Sequence, residues 1–316
     1  MSKRATGVAL VSVLLIVAIL MAVISKLMSS HNLVINQHQN TFEQNQALQY
    51  ALGAEALARQ ALYEDFTNSG KDVDHYNELW AQPTMPFELD EGGFLEAQLT
   101  DLQGCFNLNS LVDDSGTQLE RFKRLLNNLS VQPQLAEVWK DWIDADEQLT
   151  GFGAEDSEYL LAAPPHRTPN KPVYHVSELL LVQNMDRDQY RAIAPHVCTL
   201  PPEVSTININ TANAQTLAAL DGAIDPGMAE QLVATERAYM SAEDFIADYA
   251  DFAPLAGELS VTSEYFQLHA QAQLGSSSVT LLSLMYRDPS TGIVSVLQRD
   301  FGRLFRSNLT IDTEEI

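Results

Sequence analysis

Basic residues are scarce in this chain. Its 316 residues hold 18 Lys+Arg against 42 Asp+Glu, a formal net charge of −24. Phosphate contacts need Lys and Arg, so the balance argues against a nucleic-acid binder. Two cysteines are too few for a disulfide scaffold or a cysteine-rich zinc module. The seven histidines form no HExxH, and GxSxG, Walker and GxGxxG patterns are absent. These absences lead away from the common enzyme classes, and the expectation is a protein that is not an enzyme. Hydrophobic residues make up 46% and charged residues 19%, which suits a packed core and not a disordered tail. The length corresponds to about two domains.

No glycine lies between Gly7 and Gly53, and no proline precedes Pro83. Within that stretch, Val8 to Ile24 is an apolar run of 17 residues broken only by Ser12. At ~1.5 Å per residue it covers about 26 Å, close to the hydrocarbon thickness of a bilayer. Lys26 would reach the far interface. Lys3 and Arg4 precede the run and the acidic bulk follows it. The positive-inside rule then places residue 1 in the cytoplasm and the rest outside, as a single-pass protein. A secretory signal peptide, a plain anchor and a prepilin-type leader all compete here. Ser29-Ser30 is a poor signal-peptidase site. Gly7 followed by Val8-Ala9-Leu10 resembles the prepilin leader. That resemblance implies cleavage between Gly7 and Val8 by a prepilin peptidase and methylation of the new amine on Val8.

Beyond the membrane the helix is expected to continue to about Phe66, with Leu48, Leu52, Ala56 and Leu62 at near-helical intervals beside Ala47, Ala51, Ala54, Ala58 and Ala61. Such an arrangement resembles that of pilins and pseudopilins. Most of those subunits carry Glu at the fifth mature position, where it is thought to pair with the freed amine of the subunit ahead. Ser12 stands there in this chain. A buried carboxylate is costly unless paired. A subunit without it makes no such contact forward and sits first, at the filament tip.

Gly70–Asp74 and Gln82–Gly93 read as loops. Phe94–Leu102, Tyr265–Ala272, Val279–Tyr286 and Ile293–Leu297 read as strands, the last two joined by the turn Asp288–Gly292. Phe266, Leu268, Ala270 and Ala272 share one face. Between the first two strands lie seven short helical segments: 118–129, 134–143, 176–182, 186–193, 214–220, 227–236 and 241–249. Thr211, Asp225 and Ser241 are placed as N-caps or near-caps. The fold class is therefore α+β: a long N-terminal helix on an antiparallel sheet, with a large inserted all-α domain. The divisions expected are 1–7 leader, 8–27 transmembrane part, 28–106 first part of the α/β domain, 107–259 helical insert and 260–316 C-terminal strands.

Four segments then occur in order: Asp101-Leu-Gln-Gly-Cys-Phe-Asn-Leu-Asn109, Asp141-Trp-Ile-Asp144-Ala-Asp146 with Gly153–Leu160 and Pro164-Pro165, Ser177-Glu178-Leu179-Leu180, and Asn208-Ile-Asn-Thr-Ala212. With the leader lacking Glu, they resemble the minor pseudopilin K family of type II secretion, also called general secretion pathway protein K. The resemblance covers nearly the whole chain. It implies a pilin-like α/β domain with an inserted α-domain. It also implies a complex with minor pseudopilins I and J at the tip of the periplasmic pseudopilus, initiating or capping its assembly for export of folded proteins. Further partners expected are minor pseudopilin H, the major pseudopilin filament, the outer-membrane secretin and exported proteins.

Read by residue alone, Asp141–Asp156 is a carboxylate cluster after a helix. Asp144, Asp146 and Glu155 fall at positions 1, 3 and 12 of an EF-hand spacing, but Gln148 and Leu149 break it at positions 5 and 6. Calcium held by another loop geometry and a solvated acidic loop with N-caps at Asp144 and Asp156 both stay open. No Cys or His lies in the set, which disfavours zinc. The family resemblance implies calcium in the insert; from the residues themselves the ligands expected are Asp144, Asp146, Glu155 and Asp156, with Asp141 as a weaker candidate.

The Asn208–Ala212 segment looks like the start of a helix-hairpin-helix, which raises a membrane-anchored competence-type DNA receptor as the alternative function. Against it, residues 208–259 carry nine acids and one base, Arg237. The expectation is structural, with Asn210 and Thr211 pinning the next helix start. Outside the cytoplasm Cys105 and Cys198 can pair, with a loop-entropy gain of roughly 4–5 kcal/mol; two buried thiols are the other outcome. Trp80, Trp139 and Trp142 are expected in the core, and His166 and His175 in loops.

Overall fold

A computed structural model describes residues 5–67, 73–82, 86–89, 92–113 and 115–301. Lys3 and Arg4, parts of both predicted loops, and the last residues of the C-terminal division lie outside the described residues. The first element is α1 (Ala5–Asp65), one unbroken helix of 61 residues. At ~1.5 Å per residue it is about 92 Å long. From Leu10 onward it includes an 18-residue window of mean hydropathy 2.7, none of it buried. By length and composition this helix can cross a membrane.

The lower half of α1 packs on the head through small residues. Ala47, Ala51, Ala54, Ala58 and Leu62 are buried. Leu48 and Leu52 are only half-buried, and Ala56 is exposed. The packing stripe is thus offset from the Leu48–Leu52–Ala56 stripe expected from the sequence. Alanines let the helix backbone approach the sheet closely, and the leucines flank the contact.

After α1 come β1 (Phe87–Glu88), β2 (Gly93–Asp101) and β3 (Phe106–Asn107). Then follow α2 (Thr117–Asn128), α3 (Leu135–Ile143), α4 (Asp156–Tyr159), α5 (Arg187–Ile193) and β4 (Val197–Cys198). The chain continues with β5 (Ile207–Asn208), α6 (Ala214–Leu220), α7 (Pro226–Val233), α8 (Ala242–Asp248) and β6 (Leu259–Ser260). It closes with β7 (Tyr265–Leu274), β8 (Ser277–Arg287) and β9 (Val294–Phe301). The main sheet has the order β1-β2-β7-β8-β9 and is antiparallel throughout. β2 and β7 are adjacent in space, with Asp101 opposite Phe266, although the whole helical region separates them in sequence.

Period-two alternation explains the sheet face. Phe266, Leu268, Ala270, Ala272 and Leu274 are buried against α1, joined by Leu281, Met285 and Trp80. The Trp80 ring meets Phe266 edge-on at 5.2 Å. The helical region has two cores of its own. One surrounds Trp139, Phe122, Leu125 and Ile143; the other surrounds Phe245, Phe252, Leu217 and Ile209. Trp142 joins the first, so all three tryptophans are core residues. Residues 176–181 form a 3-10 turn instead of the α-helix read from the sequence. Its backbone bonds run i→i+3, from the Glu178 N–H to the His175 carbonyl and from the Val182 N–H to the Leu179 carbonyl.

Candidate functional site

The acidic loop hangs between α3 and α4. Asp141 sits in the last turn of α3 with its side chain fully buried. Asp144 ends that helix as its C-cap, and its N–H donates to the Lys140 carbonyl at 2.9 Å. The chain then doubles back. Both Asp141 oxygens accept from the Thr150 N–H at 3.1 Å, and the Phe152 N–H donates to Glu137 Oε2 at 2.7 Å. Gly151 has φ +58°, where a side chain is strained. At Gly153 a Cβ would lie 1.8 Å from Asp141 Oδ2. These two glycines and Glu137 shape the loop, and the Gly-x-Gly spacing between carboxylates is their signal in the sequence.

This fold brings Asp144, Asp146 and Glu155 together, with one carboxylate oxygen from each lying within 4.8 Å of the others. Asp146 is exposed, whereas Asp144 and Glu155 are buried. Both Glu155 oxygens are buried and accept no hydrogen bond. Burial, followed by repulsion from Asp141, Asp144, Asp146 and Asp156, pushes the Glu155 carboxyl up to about 7. Burial also raises Asp141. A buried carboxylate with no donor is costly. A hard cation placed among these oxygens would remove that cost, and the all-oxygen donor set suits calcium.

Asp156 is elsewhere. Its oxygens accept from Arg167 Nη1 at 2.5 Å and from the N–H and Oγ1 of Thr168 at 3.0 and 2.9 Å. These bonds, with the Thr168 hydroxyl foremost, hold it below the usual carboxylate range. Nor do Asp144 and Asp156 cap helices at their N-termini: Glu155 is the N-cap residue of α4, and Asp156 lies within its first turn. The register is set by Glu158, which accepts from the Glu155 N–H at 3.0 Å.

A second acidic group, Asp65, Asp74 and Glu78, has a different character. Arg287 bonds both Asp74 oxygens and lies 3.5 Å from Asp65. Its guanidinium already occupies the position a cation would take.

The remaining motif residues fasten the helical region to the sheet. Asp101 accepts from Gln103 N, Thr211 Oγ1, Ser263 Oγ and Asn208 Nδ2 at 2.6–3.0 Å. Asn107 Nδ2 donates to the Pro201 and Val204 carbonyls, and Asn109 Nδ2 to those of Val173 and Leu200. Cys105 and Cys198 are joined by a disulfide beside the β3–β4 pair. His166 packs on Trp142 and Tyr159, and His175 accepts from the Ser177 N–H at the start of the 3-10 turn.

In the segment resembling a helix-hairpin-helix, Asp225 and Ser241 are the N-caps of α7 and α8. Asn213 caps α6, in place of the expected Asn210 and Thr211. Asn210 instead bonds the Tyr239 backbone through both ends of its amide. Arg237 is buried and donates to the Ile209 and Ala212 carbonyls. The base of this segment is thus engaged internally and does not face phosphate.

Gly7 and Val8 both lie on α1, and Ser12, which is exposed, sits one turn further along that helix. Comparisons with known proteins agree with this layout. Residues 104–202 match the family model for type II secretion system protein K. The chain is 37% identical over 319 residues to the type II secretion system protein K of Pseudomonas aeruginosa, covering 96% of this chain and 95% of that one. It is 34% identical to the Klebsiella pneumoniae protein of the same name, covering 96% and 98%. A crystal structure of the GspK–GspI–GspJ complex from the enterotoxigenic Escherichia coli type 2 secretion system superposes with TM-score 0.75 at 30% identity, over 85% of this chain and 100% of that one. End-to-end sequence matches and a shared fold with the helical region between β2 and β7 lead to one conclusion: this chain belongs to the type II secretion system protein K family.

Proposed function

We propose that this chain is the tip subunit of a type II secretion pseudopilus, bound to minor pseudopilins I and J. It starts or caps the filament that drives folded proteins from the periplasm across the outer membrane. A prepilin peptidase cuts between Gly7 and Val8, and Val8 becomes the methylated N-terminus. The segment 8–27 remains in the inner membrane and the bulk is periplasmic. The head divides into an α/β part, 28–106 with 260–316, and a helical insert, 107–259. Minor pseudopilin H and the major pseudopilin stack behind it, and the insert faces the secretin or cargo.

The observation that carries this reading is Ser12 on an exposed apolar stem, at the position where filament subunits need an acid to reach the one ahead. The match to a K–I–J complex supports the choice of partners. The insert's bulk suits a subunit with nothing stacked in front of it. Co-expression of the full chain with I and J tests the partnership. Co-elution of all three in detergent supports it, and separate elution of this chain refutes it.

Calcium is the proposed ion of the insert, held by Asp144, Asp146 and Glu155 with Asp141 behind them. Asp156, committed to Arg167 and Thr168, stands outside this set. The role of the ion is to hold the loop, not to do chemistry.

A further inference from the structure

The acidic loop carries large apolar side chains on its outside. Leu149 is 56% exposed and Phe152 75%, both between Asp146 and Glu155. Just beyond α4, Leu160 is 44% exposed and Leu161 88%. The Gln183 N–H donates to the Tyr159 hydroxyl at 3.1 Å, which ties the chain following Leu180 and Leu181 to α4. Exposed leucines and a phenylalanine gathered on the loop before α4 and the turn after it are what a contact surface needs.

Charge selects what it contacts. Residues 144–161 hold six acids (Asp144, Asp146, Glu147, Glu155, Asp156, Glu158) and no base. The adjoining Arg167 is matched to Asp156. One calcium ion neutralises two of these charges and leaves the ridge acidic. An anionic lipid surface is repelled by such a ridge. So is a second copy of this chain, at a net charge of −24. A protein segment with basic residues around apolar ones meets both properties.

We propose that Leu149, Phe152, Leu160 and Leu161 form a calcium-ordered docking surface for a basic amphipathic segment of another protein. The inference rests on the calcium reading above. Leu149 and Phe152 are displayed by the backbone between proposed ligands, so closing the loop on an ion fixes them in place. Without the ion, the carboxylates repel one another and the display loosens. Burying the apolar ridge supplies affinity, and the surrounding carboxylates supply orientation and partner choice.

The test uses the full chain in detergent and a fluorescent amphipathic peptide of leucine and lysine. A glutamate-for-lysine peptide and vesicles containing phosphatidylglycerol are the comparison arms. The lysine peptide is expected to bind about tenfold more tightly in calcium than in chelator. Phe152→Ser with Leu161→Ser removes that gain; both side chains are largely exposed, so the fold is not at risk. Equal binding of the two peptides, binding indifferent to the double substitution, or vesicle binding in their place overturns the proposal. Calorimetry with calcium alone, run in parallel, separates the two readings. Calcium heat without peptide binding refutes the docking surface only, and absence of calcium heat refutes the ion and the surface together.

Discussion

Glu55 on α1 and Arg299 on β9 form a two-pronged ion pair: Nε and Nη2 each donate to a Glu55 oxygen at 2.7 Å. Ser283 Oγ on β8 adds a third bond at 2.6 Å. With Arg59 Nε donating to the Val294 carbonyl at 3.0 Å, this clamp fixes the rotation of the long helix on the sheet. The alanine stripe sets how near the helix lies; Glu55 sets which face it presents.

Replacing Glu55 by Ala should lower stability by about 1–3 kcal/mol, the range for a charge-assisted network left without its acceptor. Arg299 is partly exposed, which keeps the cost below that of a fully buried pair. Burial pushes the Glu55 carboxyl up, but the hydrogen bonds from Arg299 and Ser283 and the charges of Arg299 and Arg59 outweigh it and hold it below its usual value. A depressed folded pKa stabilises above the unfolded value and loses that contribution as pH falls through the folded one. Melting curves should therefore show the wild-type advantage over Glu55→Gln at neutral pH, shrinking below about pH 4.5.

Gly153→Ala should disturb the acidic loop without touching the core. Its Cβ would lie 1.8 Å from Asp141 Oδ2, so either the loop or Asp141 must move. Calcium affinity measured by calorimetry should fall at least about tenfold, a change of roughly 1.4 kcal/mol. Glu155→Gln should do the same by removing a ligand charge, while Asp156→Asn should leave affinity nearly unchanged.

Cys105 and Cys198 close a loop with a sequence separation of 93. Alkylation without reductant should label neither thiol, and reduction should release two. Reduced protein, or Cys105→Ser, should lose about 2–5 kcal/mol, read as a lower melting temperature.

Asp101 is the common acceptor for Gln103, Asn208, Thr211 and Ser263. Burial pushes its carboxyl up to about 6. Asp101→Ala leaves four buried donors without that acceptor and should cost about 2–4 kcal/mol, among the larger single losses in the chain. A proteolysis assay should then cut first near the junction of β2 with the helical region.

The architecture was legible where local rules act alone. The absence of Gly between Gly7 and Gly53 and of Pro before Pro83 pointed to α1, and period-two patterning to β7 with its inward Phe266–Ala272 face. Helix spans near 118–129, 134–143 and 214–220 followed from apolar spacing. What stayed hidden depends on contacts distant in sequence. The sheet selects the alanine face of α1 because β7 and β8 lie against it, which no helix periodicity encodes. Asn213 takes the cap from Thr211 because Asp101, over a hundred residues earlier, engages the Thr211 hydroxyl. Likewise Arg167 and Thr168 draw Asp156 away from the carboxylate group, a choice invisible in the spacing of the acids. The cluster of Asp144, Asp146 and Glu155 could be read because one helix end and one tight loop bring it together.

The claim of a leading position rests on where single molecules sit in the fibre. Pseudopili assembled with a gold-tagged copy of this chain, imaged by electron microscopy, should carry the tag at one end only. Tags spaced along the shaft would contradict it.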